Sequence, residues 1–200
     1  MEGYLKWIVA RRKKGYQVDG IVLTEHRQYD PTVQYDDLAA QYGVKVLKGA
    51  EVETTVGHVL VYGIDDRFTK EFDLRNVALP YEDVFKAARD FGGYAVGAHA
   101  GRPRIGLAEH VTQSAVSLEH VGAIEQLNGG SNDEENDRAQ QLADEHGLHR
   151  VGGSDAHFVS AIGRCLTAFT RPIETIEELV HELIGGEYHP TTIEETRSEQ

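Results

Sequence analysis

One cysteine, Cys165, leaves no partner for an intramolecular disulfide, so a disulfide framework is excluded and the compartment need not be oxidising. Positive charge is scarce as well. Lys and Arg number 20 against 33 Asp and Glu, a formal net charge of -13. Binding to a phosphate backbone draws on cations that displace counterions, so this balance argues against a nucleic-acid partner. The one basic run, Arg11-Arg12-Lys13-Lys14, falls near the end of the first predicted helix, where positive charge suits the helix dipole; it reads as a solvated helix end. Long apolar runs are missing too, and with them any bilayer span or signal sequence. The expectation is a soluble, cytoplasmic protein with no membrane partner. Its length suits one domain with a single core over residues 1–193, followed by a polar tail over 194–200.

The rest of the chain alternates strand and helix patterns. Apolar residues at Tyr4, Leu5, Ile8 and Val9 predict a helix from Glu2 to Tyr16. Gly20–Thr24 is a short β-branched run of the kind a buried parallel strand shows, and it stops at Glu25-His26. A helix through Tyr35–Tyr42 is closed by Gly43, and the strand from Val44 to Leu47 runs into Glu51 and Glu53. The turn Thr54–Gly57 leads into a strand that starts at His58; an antiparallel return would bring His58 back beside Glu51. A loop over Phe68–Leu79 precedes a helix at Tyr81–Phe91 and a strand at Tyr94–Ala98 that ends on His99, with Arg102 in the loop beyond. A weaker helix is expected at His110–Ser117, a strand with Glu125 inside it at Val121–Asn128, and a helix that Asn132 caps and Gly147 stops. Strands at Arg150-Val151, Cys165–Phe169 and Tyr188–Ile193 and a helix at Glu177–Ile184 complete the series.

Alternation with short loops argues for a parallel sheet or barrel, in which reactive groups gather at the C-terminal ends of the strands. His26, Glu51, His99, Asp155 and His157 all lie at or just past such ends, and the hairpin delivers His58 to the same rim. In an extended Gly152-Gly153-Ser154-Asp155-Ala156-His157, Asp155 and His157 would share one face. Five segments converging with histidine and carboxylate point to a divalent metal centre. This donor set suits zinc, manganese or iron without choosing among them. The remaining histidines, at 110, 120, 146, 149, 181 and 189, end no apolar strand and read as structural or solvent-facing.

The segments Thr24-Glu25-His26, Gly49-Ala50-Glu51, Gly57–Gly63, Ala98–Pro103, Ile124–Asn128 and Gly152–His157 together resemble the PHP (polymerase and histidinol phosphatase) family. The resemblance spans about Asp19 to Phe169 and implies an α/β fold, a distorted (β/α)7 TIM-like barrel, with one to three divalent ions. It implies one site from Glu51, His58 and His99, a second using Glu51 and Asp155, and a third using His26 and His157. Family members open with a strand carrying His-x-His, and no such strand precedes the first helix here. The expectation is therefore one largely intact site and two impaired ones, in a barrel missing its first strand, through a truncated record or genuine loss. A homo-oligomer could cover the open edge.

The expected chemistry is hydrolysis of a small phosphorylated substrate by a metal-bound hydroxide, a phosphoesterase or phosphatase reaction. Arg102 is the candidate phosphate clamp, His157 a further catalytic candidate, and Glu125 a group that orients a ligand from behind. The alternatives are a non-catalytic metal-binding or scaffolding domain and a nuclease-type phosphodiesterase.

Overall fold

The computed structural model describes residues 1–113 and 116–197. In chain order the elements are α1 (Glu2–Arg12), β1 (Gly20–His26), α2 (Asp36–Tyr42), β2 (Lys45–Thr54), β3 (Gly57–Tyr62), α3 (Asp66–Glu71), α4 (Tyr81–Asp90) and β4 (Tyr94–Gly97). They continue with α5 (Leu107–Gln113), β5 (Ala123–Asn128), α6 (Asp133–His146), β6 (His149–Gly153), β7 (Cys165–Phe169), α7 (Ile176–Gly185) and β8 (Tyr188–Thr192). Six strands pair in sequence order from β1 to β6, and β7 pairs with β8 in a separate two-stranded sheet. Within the larger sheet β3 runs antiparallel to both β2 and β4, while the pairs β1–β2, β4–β5 and β5–β6 are parallel.

The six-stranded sheet curls. Strands β1 and β6 are its two edges, and five spacings of about 4.8 Å would hold such edges roughly 24 Å apart in a flat sheet. Yet the ring of His26, at the end of β1, lies 5.7 Å from that of His157, just past β6. This is an α/β fold with a half-barrel sheet, which differs from one continuous seven-stranded barrel in how β7 joins. Its link to β6 runs through a side chain: the Thr167 hydroxyl accepts from the Gly152 N–H (3.1 Å) and donates to the Gly152 carbonyl (2.8 Å).

Strand alternation sorts the side chains between the two faces. On the convex face Ala50, Val52, Val59, Val61 and Ile124 pack against Val84 and Phe85 of α4, Leu107 of α5 and Leu142 of α6. On the concave face Leu60, Val96, Ala98, Ala123 and Val151 form a floor together with Leu179 and Leu183 of α7. Each fully buried aliphatic side chain contributes about 1.5–3 kcal/mol relative to exposure, so this two-faced burial fixes the register. A third cluster joins Leu5 and Ile8 of α1 to Val18, Val44, Ile162 and Ile193. Because Ile162 precedes β7 and Ile193 follows β8, α1 bridges the β1–β2 edge and the hairpin, and the Trp7 indole N–H donates to the Ile162 carbonyl at 3.1 Å.

Several expectations change in detail. Helix α1 stops at Arg12, and Arg12 is more than a solvated end: its guanidinium donates to the carbonyls of Val18 (2.6 Å), Asp19 (2.9 Å) and Gly43 (2.5 Å). The expected loop after β3 contains α3, whose six residues are too short to show a period; Asp65 caps it and Phe68 buries its one apolar face. The helix expected at His110–Ser117 starts earlier, at Leu107, and Ser114 and Ala115 lie outside the described residues. In the polar tail Glu194–Thr196 form one 3-10 turn, with Glu195 accepting from the Thr192 N–H at 2.7 Å, while residues 198–200 are outside the described set. Among the described residues no helix is long and apolar enough to cross a membrane.

Candidate metal centre

Glu51 is the hub of the strand-end rim. Its parallel partner across the β1–β2 ladder is His26, and across the hairpin Glu53 faces His58, which leaves Glu51 diagonal to the histidine ring. This register follows from the turn at residues 54–57 and sends Ala50 and Val52 into the convex core, so Glu51 must face inward. Oε1 of Glu51 lies 2.8 Å from His58 Nδ1 and 3.1 Å from His99 Nε2, and Oε2 lies 3.3 Å from His26 Nε2.

Alternation alone would not deliver His99. Val96 and Ala98 already face the concave floor, so the next residue of a regular strand would point away. His99 instead adopts φ 30, in the left-handed region where a non-glycine residue is uncommon and strained, and the chain turns tightly with the Arg102 N–H donating to the His99 carbonyl (2.9 Å). That turn swings the ring back onto Glu51.

Exposure is graded across the cluster. The side chains of His99 and Glu51 are 3% and 6% exposed, His58 is 14% exposed and His26 is 41% exposed, so the group opens on its His26 side. Burial would raise the Glu51 carboxyl, but hydrogen bonds from His58 and His99 and the charge of His26 and His99 outweigh it and hold the group down at about 2. A carboxylate that stays ionised while buried among imidazoles is the donor chemistry that a divalent cation of the zinc, manganese or iron type takes. His26, Glu51 and His58 each offer a ligand atom, all within 4.8 Å of one another. The other nitrogen of the His99 ring, Nδ1, is buried with no hydrogen-bond partner among the described residues. The residues therefore fit a metal ion.

A second group forms around Asp155. Strand β6 ends at Gly153, and Asp155 adopts φ 45, which ends the extended run expected to align it with His157. His157 folds back, its Nδ1 3.1 Å from the Asp155 carbonyl and 3.5 Å from Oδ1, and its side chain is two-thirds exposed. Asp155 Oδ2 pairs with Arg102 Nη2 at 2.8 Å. Arg102 also donates from Nε to Ser131 Oγ (3.0 Å) and from Nη2 to Asn128 Oδ1 (2.9 Å), so much of the clamp expected for phosphate is already engaged by the protein.

Glu125 stands between the groups. It is 4% exposed, and its Oε2 accepts from the His99 backbone N–H (2.7 Å) and from Asn128 Nδ2 (2.8 Å). Burial pushes its carboxyl above the usual range, and the charge of Asp155 acts in the same direction. It thus orients His99 through the backbone. Room for it depends on Gly153, where an added Cβ would come within 2.0 Å of Glu125 Oε1. Sequence reasoning missed Asn128 and Ser131; the available signal was that Asn128 ends β5 and Ser131 lies in the turn just past it, as the other candidates lie at or past strand ends. The histidines set aside as structural lie elsewhere, with His110 on the Arg104 carbonyl and His149 against Tyr188.

Residues 133–188 match the family described as PHP-associated. No curated protein sequence matches the chain. The fold is similar to that of PsfC from Pseudomonas syringae, with a TM-score of 0.67 and 20% identity over 96% of this chain and 84% of that one. It is also similar to a two-domain protein of Bacteroides vulgatus containing a predicted PHP-like metal-dependent phosphoesterase, with a TM-score of 0.62 and 17% identity over 96% of this chain and 60% of that one. A third likeness is to PfuEndoQ, a lesion-specific endonuclease of Pyrococcus furiosus, with a TM-score of 0.58 and 19% identity over 92% of this chain and 52% of that one. At these identities the likeness is one of fold. The family match is confined to residues 133–188, and over most of the chain the fold is like that of a protein containing a PHP-like domain.

Proposed function

We propose that the chain is a metal-dependent hydrolase of phosphate esters that acts on a small phosphorylated molecule. The observation that carries this reading is Glu51, a buried carboxylate with three histidine nitrogens within 3.3 Å, drawn from β1, β3 and the turn after β4. His26, Glu51, His58 and His99 would hold the ion, with Asp155 and His157 as candidates for further sites. When bound, a divalent ion supplies a nucleophile at neutral pH and neutralises charge on phosphoryl oxygens. The protein's own groups do the rest. Glu125 holds the His99 turn, Arg102 brings a fixed positive charge beside Asp155, and the exposed His26 and His157 rings flank the entrance.

The test pairs metal content per chain, read by plasma mass spectrometry, with turnover of p-nitrophenyl phosphate in manganese. At least one ion per chain and measurable turnover, both lost in Glu51→Ala, are expected. No bound metal and no turnover under adequate supply would overturn the reading in favour of a non-catalytic scaffold of the same fold.

A further inference from the structure

We propose that Asn128 is a positioning residue that sets the direction of the Arg102 guanidinium by joining it to the buried carboxylate of Glu125. Its consequence for catalysis rests on the hydrolytic function proposed above, whereas the positioning itself does not. Asn128 ends β5 and is 1% exposed. Its Nδ2 donates to Glu125 Oε2 (2.8 Å), and its Oδ1 accepts from Arg102 Nη2 and from the Gly130 N–H, both at 2.9 Å. The orientation of this amide is forced. A guanidinium and a backbone N–H only donate, so a flipped amide would set its own NH2 against two donors and its oxygen against a carboxylate.

The consequence lies in how Nη2 is shared. It touches both Asn128 Oδ1 and Asp155 Oδ2, while Nε is held by Ser131. A carboxylate facing an arginine alone draws it into a two-pronged pair. Asn128 holds Nη2 between two acceptors and prevents that collapse. Nη1 carries none of the described hydrogen bonds, and in this arrangement it remains for an anionic oxygen of the substrate. The neighbouring backbone leaves room for nothing else: a Cβ at Gly130 would come within 2.4 Å of Arg102 Nη2 and 3.3 Å of Asn128 Oδ1. Glu125 closes the chain, since the oxygen that accepts from Asn128 also accepts from the His99 N–H. One line of hydrogen bonds thus ties the turn that carries His99 to the arginine that faces Asp155.

Two variants test this. Asn128→Ala removes the joint, and Gly130→Ala, at an exposed position, keeps the Asn128 side chain but drives Arg102 Nη2 away, its Cβ falling 2.4 Å from Nη2 and, less tightly, 3.0 Å from Asp155 Oδ2 and 3.3 Å from Asn128 Oδ1. The readout is solvent exchange of the Arg102 Nε–H in protein with nitrogen-labelled arginine, the signal being assigned by its loss in Arg102→Lys. Both variants should exchange roughly tenfold faster than wild type while other arginine signals stay unchanged, because a guanidinium that turns away once Nη2 is released also gives up its Nε–H bond to Ser131, the loss of one hydrogen bond to a charged group. Unchanged exchange overturns the proposal. Should Asn128→Ala fail to fold, Gly130→Ala decides by the same criterion. In turnover of p-nitrophenyl phosphate both variants should raise KM about tenfold with a smaller change in kcat, since the lost contact is to bound substrate. A fall in kcat at constant KM overturns it. Absence of turnover in the wild type would refute the hydrolytic function and leave the exchange result to judge Asn128.

Discussion

At the scale of single residues, Glu51 and Glu125 show how environment divides one side-chain type into two roles. Both are buried, but Glu51 receives imidazole nitrogens and is held ionised, whereas Glu125 receives only neutral N–H groups and is pushed up by burial. Because the Glu51 pKa is depressed, from 4.5 to about 2, its contribution to stability is fully present above 4.5 and is lost as pH falls toward 2. In metal-free protein, the stability difference between wild type and Glu51→Gln, read from urea midpoints, should therefore shrink between pH 5 and pH 2. A difference that stays constant over that window would contradict the assignment. Cys165 gives a second check. Burial and the charge of Glu125 push its thiol up to about 11, so at pH 8 only about one molecule in a thousand carries the reactive thiolate. Iodoacetamide should label the native protein far more slowly than the same protein in urea, and equal rates would show the site to be open.

At the scale of elements, the centre depends on strand ends that depart from regular geometry. Strands β1, β2 and β3 bring His26, Glu51 and His58 together through register alone, but His99 and Asp155 reach the rim only through left-handed backbone at each. The β5–β6 pair adds the constraint at Gly153, directly below Glu125. Replacing Gly153 by Ala should destabilise the fold by about 1–3 kcal/mol through overpacking and also release the His99 turn. Urea midpoints together with the amide exchange of His99 would check this. A loss of stability with His99 still protected would mean that Glu125 moves without carrying the turn.

At the scale of the whole molecule, α1 spans the seam between β1 and the β7–β8 hairpin, with Leu5 and Ile8 fully buried and Trp7 bonded to Ile162. Trp7 is the single tryptophan and so reports on this seam alone. Unfolding in urea followed by its fluorescence should coincide with unfolding followed by circular dichroism, because α1 shares a buried cluster with both sheets. An earlier fluorescence transition would show that the seam opens before the half-barrel sheet unfolds.

Much of this was legible in the sequence because it depends on local rules. The short apolar runs of β2 and β3, the turn at 54–57 and the glycines that stop α2, α6 and α7 predict the elements, and the strand-end histidines and carboxylates predict the rim. Those signals need only the period of a strand or helix and the chemistry of one residue. What tertiary structure decided was which of these groups meet. The extended pairing expected for Asp155 and His157 gives way because a single φ turns the chain, and Arg102, expected as a phosphate clamp, has its Nε and Nη2 engaged by Asp155, Asn128 and Ser131, which arrive from two other segments. The curl that brings His26 at one sheet edge to His157 at the other belongs to no segment. It arises from packing six strands over one concave floor, an interaction among residues far apart in the chain, and local pattern carries no record of it.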